Sequence, residues 1–181
     1  MRLVPATGAA FAWLLDGGPA PEGLRLPPGG VADAETLEML ARSEATTRSQ
    51  GVAGTFLVEE EGEVVGICGV KAPPDRQGCA EIGYGIAASR RDRHFATRAI
   101  AMLLERLPGL GVREAMALIA PGNTASEQVL ERNGFVAGPR GAAMGGARMW
   151  RRRVRGRRGR AHLPPPPAGS ITAATDQGDA P

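Results

Sequence analysis

The sequence predicts an α/β domain built on a mixed sheet, followed by a tail without a core of its own. Hydrophobic spacing switches between helical and strand-like along residues 9–154, and turns rich in glycine and proline separate the segments. After Val154 the apolar residues give way to RGRRGRAHLPPPPAGSITAATDQGDAP. At 181 residues the chain is long enough for one domain with a real core and an appendage.

The elements follow in order. Residues 9–15 and 33–47 read as helices; in and just before the second, Val31, Ala34, Leu37, Leu40 and Ala41 keep helical spacing among Asp33, Glu35, Glu38 and Glu44. GTFLVEE, the turn Glu61-Gly62 and EVVGICGV read as a hairpin. APPDRQG makes a turn, and AEIGYGI is the third strand. Its one face carries Ile82, Tyr84 and Ile86, the other Glu81, Gly83 and Gly85. RHFATRAIAMLLERLPG places Ile100, Leu103, Leu104 and Leu107 on one helical face and ends at Pro108-Gly109. EAMALIAP is a short buried strand. The next helix opens with Thr124 and Glu127 spaced as a capping box and closes at Asn133-Gly134, with Phe135 packing back on its last turn. ARMWRRRV is the final strand, so residues 1–154 form the domain. Residues 155–181 are expected to be disordered, because so little apolar area cannot offset the entropy of ordering.

Composition narrows the function classes. No apolar run reaches a membrane span, and AAFAWLL is too short, and lacks a clear cleavage site, to serve as a secretory leader. Cys68 and Cys79 make neither a metal set nor a disulfide framework; they read as buried free thiols and as cross-strand neighbours about the Pro73-Pro74 turn. A cytoplasmic protein without metal is expected. Residues 1–150 hold 15 basic against 17 acidic side chains, a balance of −2, so the net +3 belongs to the C-terminal arginines. That arginine run reads first as a solubilising tail. Nucleic-acid or ribosome contact is the alternative and, lacking aromatic residues for stacking, would be sequence-indifferent.

Two stretches could carry chemistry. A strand face of one carboxylate and two glycines has little bulk, so a ligand or another backbone could lie against it. SRRDRHFATRA, at a helix entrance, would aim backbone N–H groups and arginines at an anion. On composition alone this second stretch reads equally as a solvated, charged turn.

The order AEIGYGI, R-x-x-H-x-A, ALIAPGN and NTASEQVLERNGF resembles the GNAT superfamily of acyl-coenzyme A-dependent N-acetyltransferases over residues 54–154, with the two early helices in their usual place. Asn123-x-x-Ser126-x-x-Val129-Leu130-Glu131-x-x-Gly134-Phe135 is similar to the last motif of the ribosomal-protein N-terminal acetyltransferase (Rim-type) branch. The resemblance implies a mostly antiparallel mixed sheet flanked by helices, with acetyl-CoA as co-substrate. The family's pyrophosphate loop, Q/R-x-x-G-x-G/A, maps onto Arg91, Asp92, Arg93, His94, Phe95 and Ala96, with His94 at the glycine position and Thr97 following.

By the same resemblance, backbone groups at Gly83, Gly85 and Ile86 hold the acetyl carbonyl and pantetheine arm, and Asn123 contacts that arm or simply caps its helix. Glu81 matches the general base of several members; a strand-edge salt bridge is the alternative reading. Leu130 stands where many members carry a tyrosine acid, which leaves Ser126 as the candidate for the thiol side. Tyr84, the only tyrosine, is expected in the core. The function expected is acetyl transfer to a primary amine, either a protein N-terminus or a small molecule. A coenzyme A-binding or regulatory protein with little catalysis is the second reading, and homodimerisation is left open.

Overall fold

The computed structural model describes residues 1–141 and 145–154; the tail expected over 155–181 lies outside the described residues. Seven strands form one open sheet: β1 (Arg2–Pro5), β2 (Thr55–Glu60), β3 (Glu63–Val70), β4 (Cys79–Ile86), β5 (Glu114–Ile119), β6 (Val136–Arg140) and β7 (Arg148–Arg153). Their order across the sheet is β1-β2-β3-β4-β5-β7-β6. Every neighbouring pair is antiparallel except β4 and β5, which run parallel. Four helices flank it: α1 (Gly8–Asp16), α2 (Ala34–Ser49), α3 (Phe95–Arg106) and α4 (Thr124–Arg132). This is the mixed α/β architecture expected.

Local chemistry explains the connections. Glu61 and Gly62 both have positive φ, 52° and 79°, as a two-residue hairpin loop between β2 and β3 requires. Before β4 the Asp75 carboxylate accepts from the N–H groups of Gln77 and Cys79, both at 2.8 Å. The α4 end has the expected form: Gly134 is left-handed, and the Phe135 N–H donates to the Leu130 carbonyl at 3.0 Å. At its start the reading of Asn123 as the cap holds and the Thr124 capping box does not, the Asn123 Oδ1 accepting from the Ser126 N–H at 3.1 Å.

The sheet separates two apolar cores. Leu57, Val64 and Ile67 pack with Phe11, Trp13 and Leu37 beneath α1 and α2. On the other face Phe56, Val58, Val65 and Ile82 pack with Phe95, Ile100, Leu103 and Leu130 of α3 and α4. Ile100 and Leu103 are fully buried, and burying each such side chain contributes about 1.5–3 kcal/mol.

Three sequence expectations need correction. The sheet has two more strands than the hydrophobic pattern indicates, β1 and β6, both at its edges. β1 is only RLVP, and β6 is VAGPR, whose Gly-Pro pair reads as a turn; pairing with β2 and with β7 holds them extended. The cysteines are not cross-strand neighbours: Cys68 lies opposite Tyr84 and Cys79 opposite Glu114. Cys68 is buried, while Cys79 is half-buried.

Candidate active site

The site begins with a ladder that stops early. β4 and β5 pair only at Cys79–Glu114, Ala80–Ala115 and Glu81–Met116. β4 then runs on to Ile86 and β5 to Ile119 without pairing to each other. The β5-facing backbone of β4 beyond Glu81 therefore has no strand partner, and buried backbone groups of that kind need one. The same strand stays paired to β3 as far as Ile86, which keeps it straight and rigid along the opening.

A cleft follows the splay. One part, about 690 Å³, runs between β4, the loop before α3 and the first turns of α4. The other, about 520 Å³, lies between the sheet and α2. Val31, Ala32, Tyr84, Gly85, Asn123 and Ser126 line both, so the two are continuous.

The first part could hold an anion. Asp92 (φ 61°) and His94 (φ 57°) both hold the left-handed conformation, which side chains adopt at a cost. His94 thus takes up the left-handed backbone that glycine adopts freely and that a side chain disfavours. Contacts on either side of the chain's entry to the loop hold it in place. Arg90 donates to both oxygens of Glu63 at 2.5 and 3.0 Å, and the Ser89 hydroxyl donates to the Pro28 carbonyl at 2.8 Å. The Arg90 guanidinium holds the Glu63 carboxyl below its ordinary pKa, against a smaller opposing effect of burial.

Thr7, Asp33 and Asn123 cap α1, α2 and α4, but no side chain caps α3. The N–H groups of its first turn, at Phe95, Ala96 and Thr97, are therefore presented with the positive end of the helix dipole. Arg91, His94, Phe95, Ala96 and Thr97 all line this part of the cleft. Arg93 is exposed and does not line it, although its charge reaches Glu63. From α4, Arg132 approaches His94 (Nη1 to Nδ1, 3.3 Å), and the Asn133 amide donates to the Thr97 carbonyl at 3.1 Å, tying the two helices together beside the loop.

The second part has glycine along its floor, but a Cβ on Gly83 would meet the Lys71 side chain at 3.3 Å and one on Gly69 would meet the Gly54 backbone, so only Gly85 lies bare. Gly83 and Gly69 face each other across β4 and β3. A Cβ on Gly85 would meet nothing within 4 Å, so protein packing does not demand glycine there and the space is open to a ligand. Gly83, Gly85, Ile86, Asn123 and Ser126 all line the cleft. Among the described residues the Ser126 hydroxyl has no hydrogen-bond partner. Glu81 is not part of the lining. It sits at the last paired position, accepting from the Lys71 ammonium at 2.5 Å.

Tyr84 is the residue that sequence reasoning undervalued. It is half-buried against the α3-side core, as its alternation with Ile82 and Ile86 suggests, yet it lines both parts of the cleft. Its hydroxyl donates to the Ser126 carbonyl at 3.1 Å and so holds the first turn of α4 against β4. Burial pushes the phenol above its ordinary pKa, and the bond to Ser126 opposes this. No signal in the sequence marks this, because the end of the β4–β5 pairing is set by the fold.

These residues fit an extended phosphate-bearing thioester: a left-handed loop, an uncapped helix start, a free strand edge and a floor open at Gly85. Among the described residues no group of three or more metal-ligating side chains gathers, and no helix is long and apolar enough to cross a membrane.

Comparison with known proteins follows the same lines. An uncharacterized N-acetyltransferase, p20, of Bacillus licheniformis is 32% identical over 89 residues, covering 48% of this chain and 50% of that protein. The chain thus spans about half the length of that curated relative. The ribosomal-protein-alanine N-acetyltransferase of Brucella melitensis shares the fold with a TM-score of 0.59 at 20% identity, covering 84% of this chain and 99% of that one. yncA of Salmonella typhimurium, solved with its cofactor acetyl-CoA, superposes with a TM-score of 0.61 at 13% identity, covering 87% of this chain and 96% of that one. Residues 8–136 match the acetyltransferase (GNAT) domain, from α1 to the start of β6 and through the whole splay, and the chain belongs to that family.

Proposed function

We propose that the chain transfers an acetyl group from acetyl-CoA to a primary amine in the cleft between β4 and β5. The observation that carries this reading is the conjunction of the unzipped strands with a left-handed loop at the uncapped start of α3. Acetyl-CoA, when bound, supplies an activated thioester. In this reading Arg91, with the N–H groups of Phe95, Ala96 and Thr97, holds its pyrophosphate, and the backbone of Gly83, Gly85 and Ile86 holds the arm. Asn123 borders the arm while it caps α4. Arg93 contributes charge rather than a direct contact.

The attacking amine must lose a proton and the leaving thiolate must gain one. Ser126 stands on the thiol side with a free hydroxyl. Glu81 acts as base on the acceptor side, which requires its carboxylate to exchange Lys71 for the amine or an intervening water. The acceptor is a protein N-terminus, as the Rim-like motif on α4 suggests, or a small amine. Assay of coenzyme A release tests the assignment. Glu81→Gln and Ser126→Ala should each lower kcat by roughly 100-fold. If both variants turn over like the parent while acetyl-CoA still stabilises them, the catalytic roles are wrong.

A second reading has its own support. Leu130 is fully buried in the α3-side core and cannot donate a proton, and Glu81 is held by Lys71. A protein that binds coenzyme A with little turnover would show a thermal shift with acetyl-CoA but no coenzyme A release with any amine.

A further inference from the structure

Resting on the acetyl-transfer reading, we infer that the acceptor is a small amine with one positive charge and an apolar body, and not a polyamine or an amino sugar. The part of the cleft beneath α2 decides this. Its wall on α2 is Met39 and Leu40 with the hydroxyl residues Thr36 and Ser43, the latter turned to the Lys71 carbonyl at 2.7 Å, and its sheet side includes Ile67, Val70 and Leu118. Among the described residues Lys71 is the only charged side chain in the lining, and no carboxylate lines it.

A second observation points the same way. Met39 and Leu118 are 53% and 39% exposed, and they are two of the three large hydrophobic side chains left exposed among the described residues. Both stand on this chamber. An apolar surface kept in water at the mouth of a cleft marks a binding site. A second ammonium on the acceptor would enter without a counter-charge and meet Lys71, whose partner Glu81 only balances it. Burying an unpaired charge in such surroundings is strongly unfavourable. The volume, about 520 Å³ and shared with the acetyl end of the donor, suits a compact molecule rather than a folded protein segment.

The test is a homologous series of n-alkylamines, propylamine to hexylamine, assayed with acetyl-CoA beside 1,6-diaminohexane and a tripeptide with leucine at its N-terminus. Basicity barely changes along the alkylamines, so the slope reports the pocket. kcat/KM should rise about threefold per methylene, as expected for burial of each CH₂. The diamine should fall at least about tenfold below hexylamine. Met39→Glu, at an exposed position that folding tolerates, should narrow that gap about threefold by placing a carboxylate at the rim.

A flat series, a diamine that matches hexylamine, or an unchanged gap in the Met39 variant overturns the inference. So does a tripeptide turned over more than tenfold faster than hexylamine, which assigns the chamber to protein N-termini. In each of these cases the acetyl-transfer reading stands. Loss of the acetyl-CoA thermal shift in the parent protein removes both.

Discussion

At the scale of single residues, His94 carries the most information. It stands in a left-handed conformation at the mouth of α3, flanked by Asp92 in the same conformation, and contacts Arg132. Such backbone persists only where the surroundings impose it, at about 1–3 kcal/mol per residue. His94→Gly should leave stability unchanged or raise it by up to about 1 kcal/mol, and acetyl-CoA binding should be no weaker. His94→Val should cost about 1–2 kcal/mol, read by urea denaturation. A tenfold loss of acetyl-CoA affinity in the glycine variant would show instead that the imidazole itself holds the ligand.

Cys68 gives a pH signature at the same scale. Burial pushes its thiol up to about 12, from an ordinary value near 9.0. Between those values the unfolded chain ionises this thiol and the native protein does not, so stability falls as pH rises. Below about pH 9 the thiol is neutral in both states and contributes no slope. Cys68→Ala should flatten the decline in unfolding free energy between pH 9 and 11; parallel curves for parent and variant would contradict this.

At the scale of elements, α2 is the wall of the chamber proposed for the acceptor, and a buried carboxylate ties it to the sheet. Glu44 is 2% exposed, accepts from the Thr55 N–H at 2.8 Å and from Arg48 at 2.6 Å, while Arg48 reaches the Ala6 carbonyl at 3.2 Å. Glu44→Ala leaves the buried Thr55 N–H without its acceptor, while the half-exposed Arg48 keeps the Ala6 carbonyl, and should cost about 1–3 kcal/mol in denaturant. A loss below about 0.5 kcal/mol would show that the apolar packing of α2 suffices. This tie was invisible in the sequence. Glu44 reads there as one more charge on the polar side of an amphipathic helix, and its partner is an N–H on a strand that only folding brings near.

The elements that were legible share strong local signals. α3 announces itself through Ile100, Leu103 and Leu104 and its Pro-Gly stop, and the β2–β3 hairpin through Glu61-Gly62. β1 and β6 lack such signals because partners, not propensity, extend them. The loop position of Arg91 to Ala96 was readable from its place between strand and helix; its left-handed hand at two non-glycine residues was not. Tyr84 was assigned correctly to its strand face, but no local pattern reveals that the β4–β5 ladder ends at Glu81 and exposes that face to the cleft.

At the scale of the whole molecule, one parallel pair in an otherwise antiparallel sheet generates the site. Antiparallel neighbours on both sides hold β4 and β5, so the splay between them is a fixed opening with core on one face and α2 over the other. The left-handed loop, the strand edge and the chamber lie along that opening, where we propose that an extended thioester binds. The measurement that tests this most directly is a thermal-shift titration with acetyl-CoA, because a ligand that binds only the folded state must raise its apparent stability. The melting temperature should climb with ligand concentration, by an amount corresponding to about 2.7 kcal/mol at a hundredfold excess over Kd. A melting temperature that stays flat to millimolar acetyl-CoA would contradict the account.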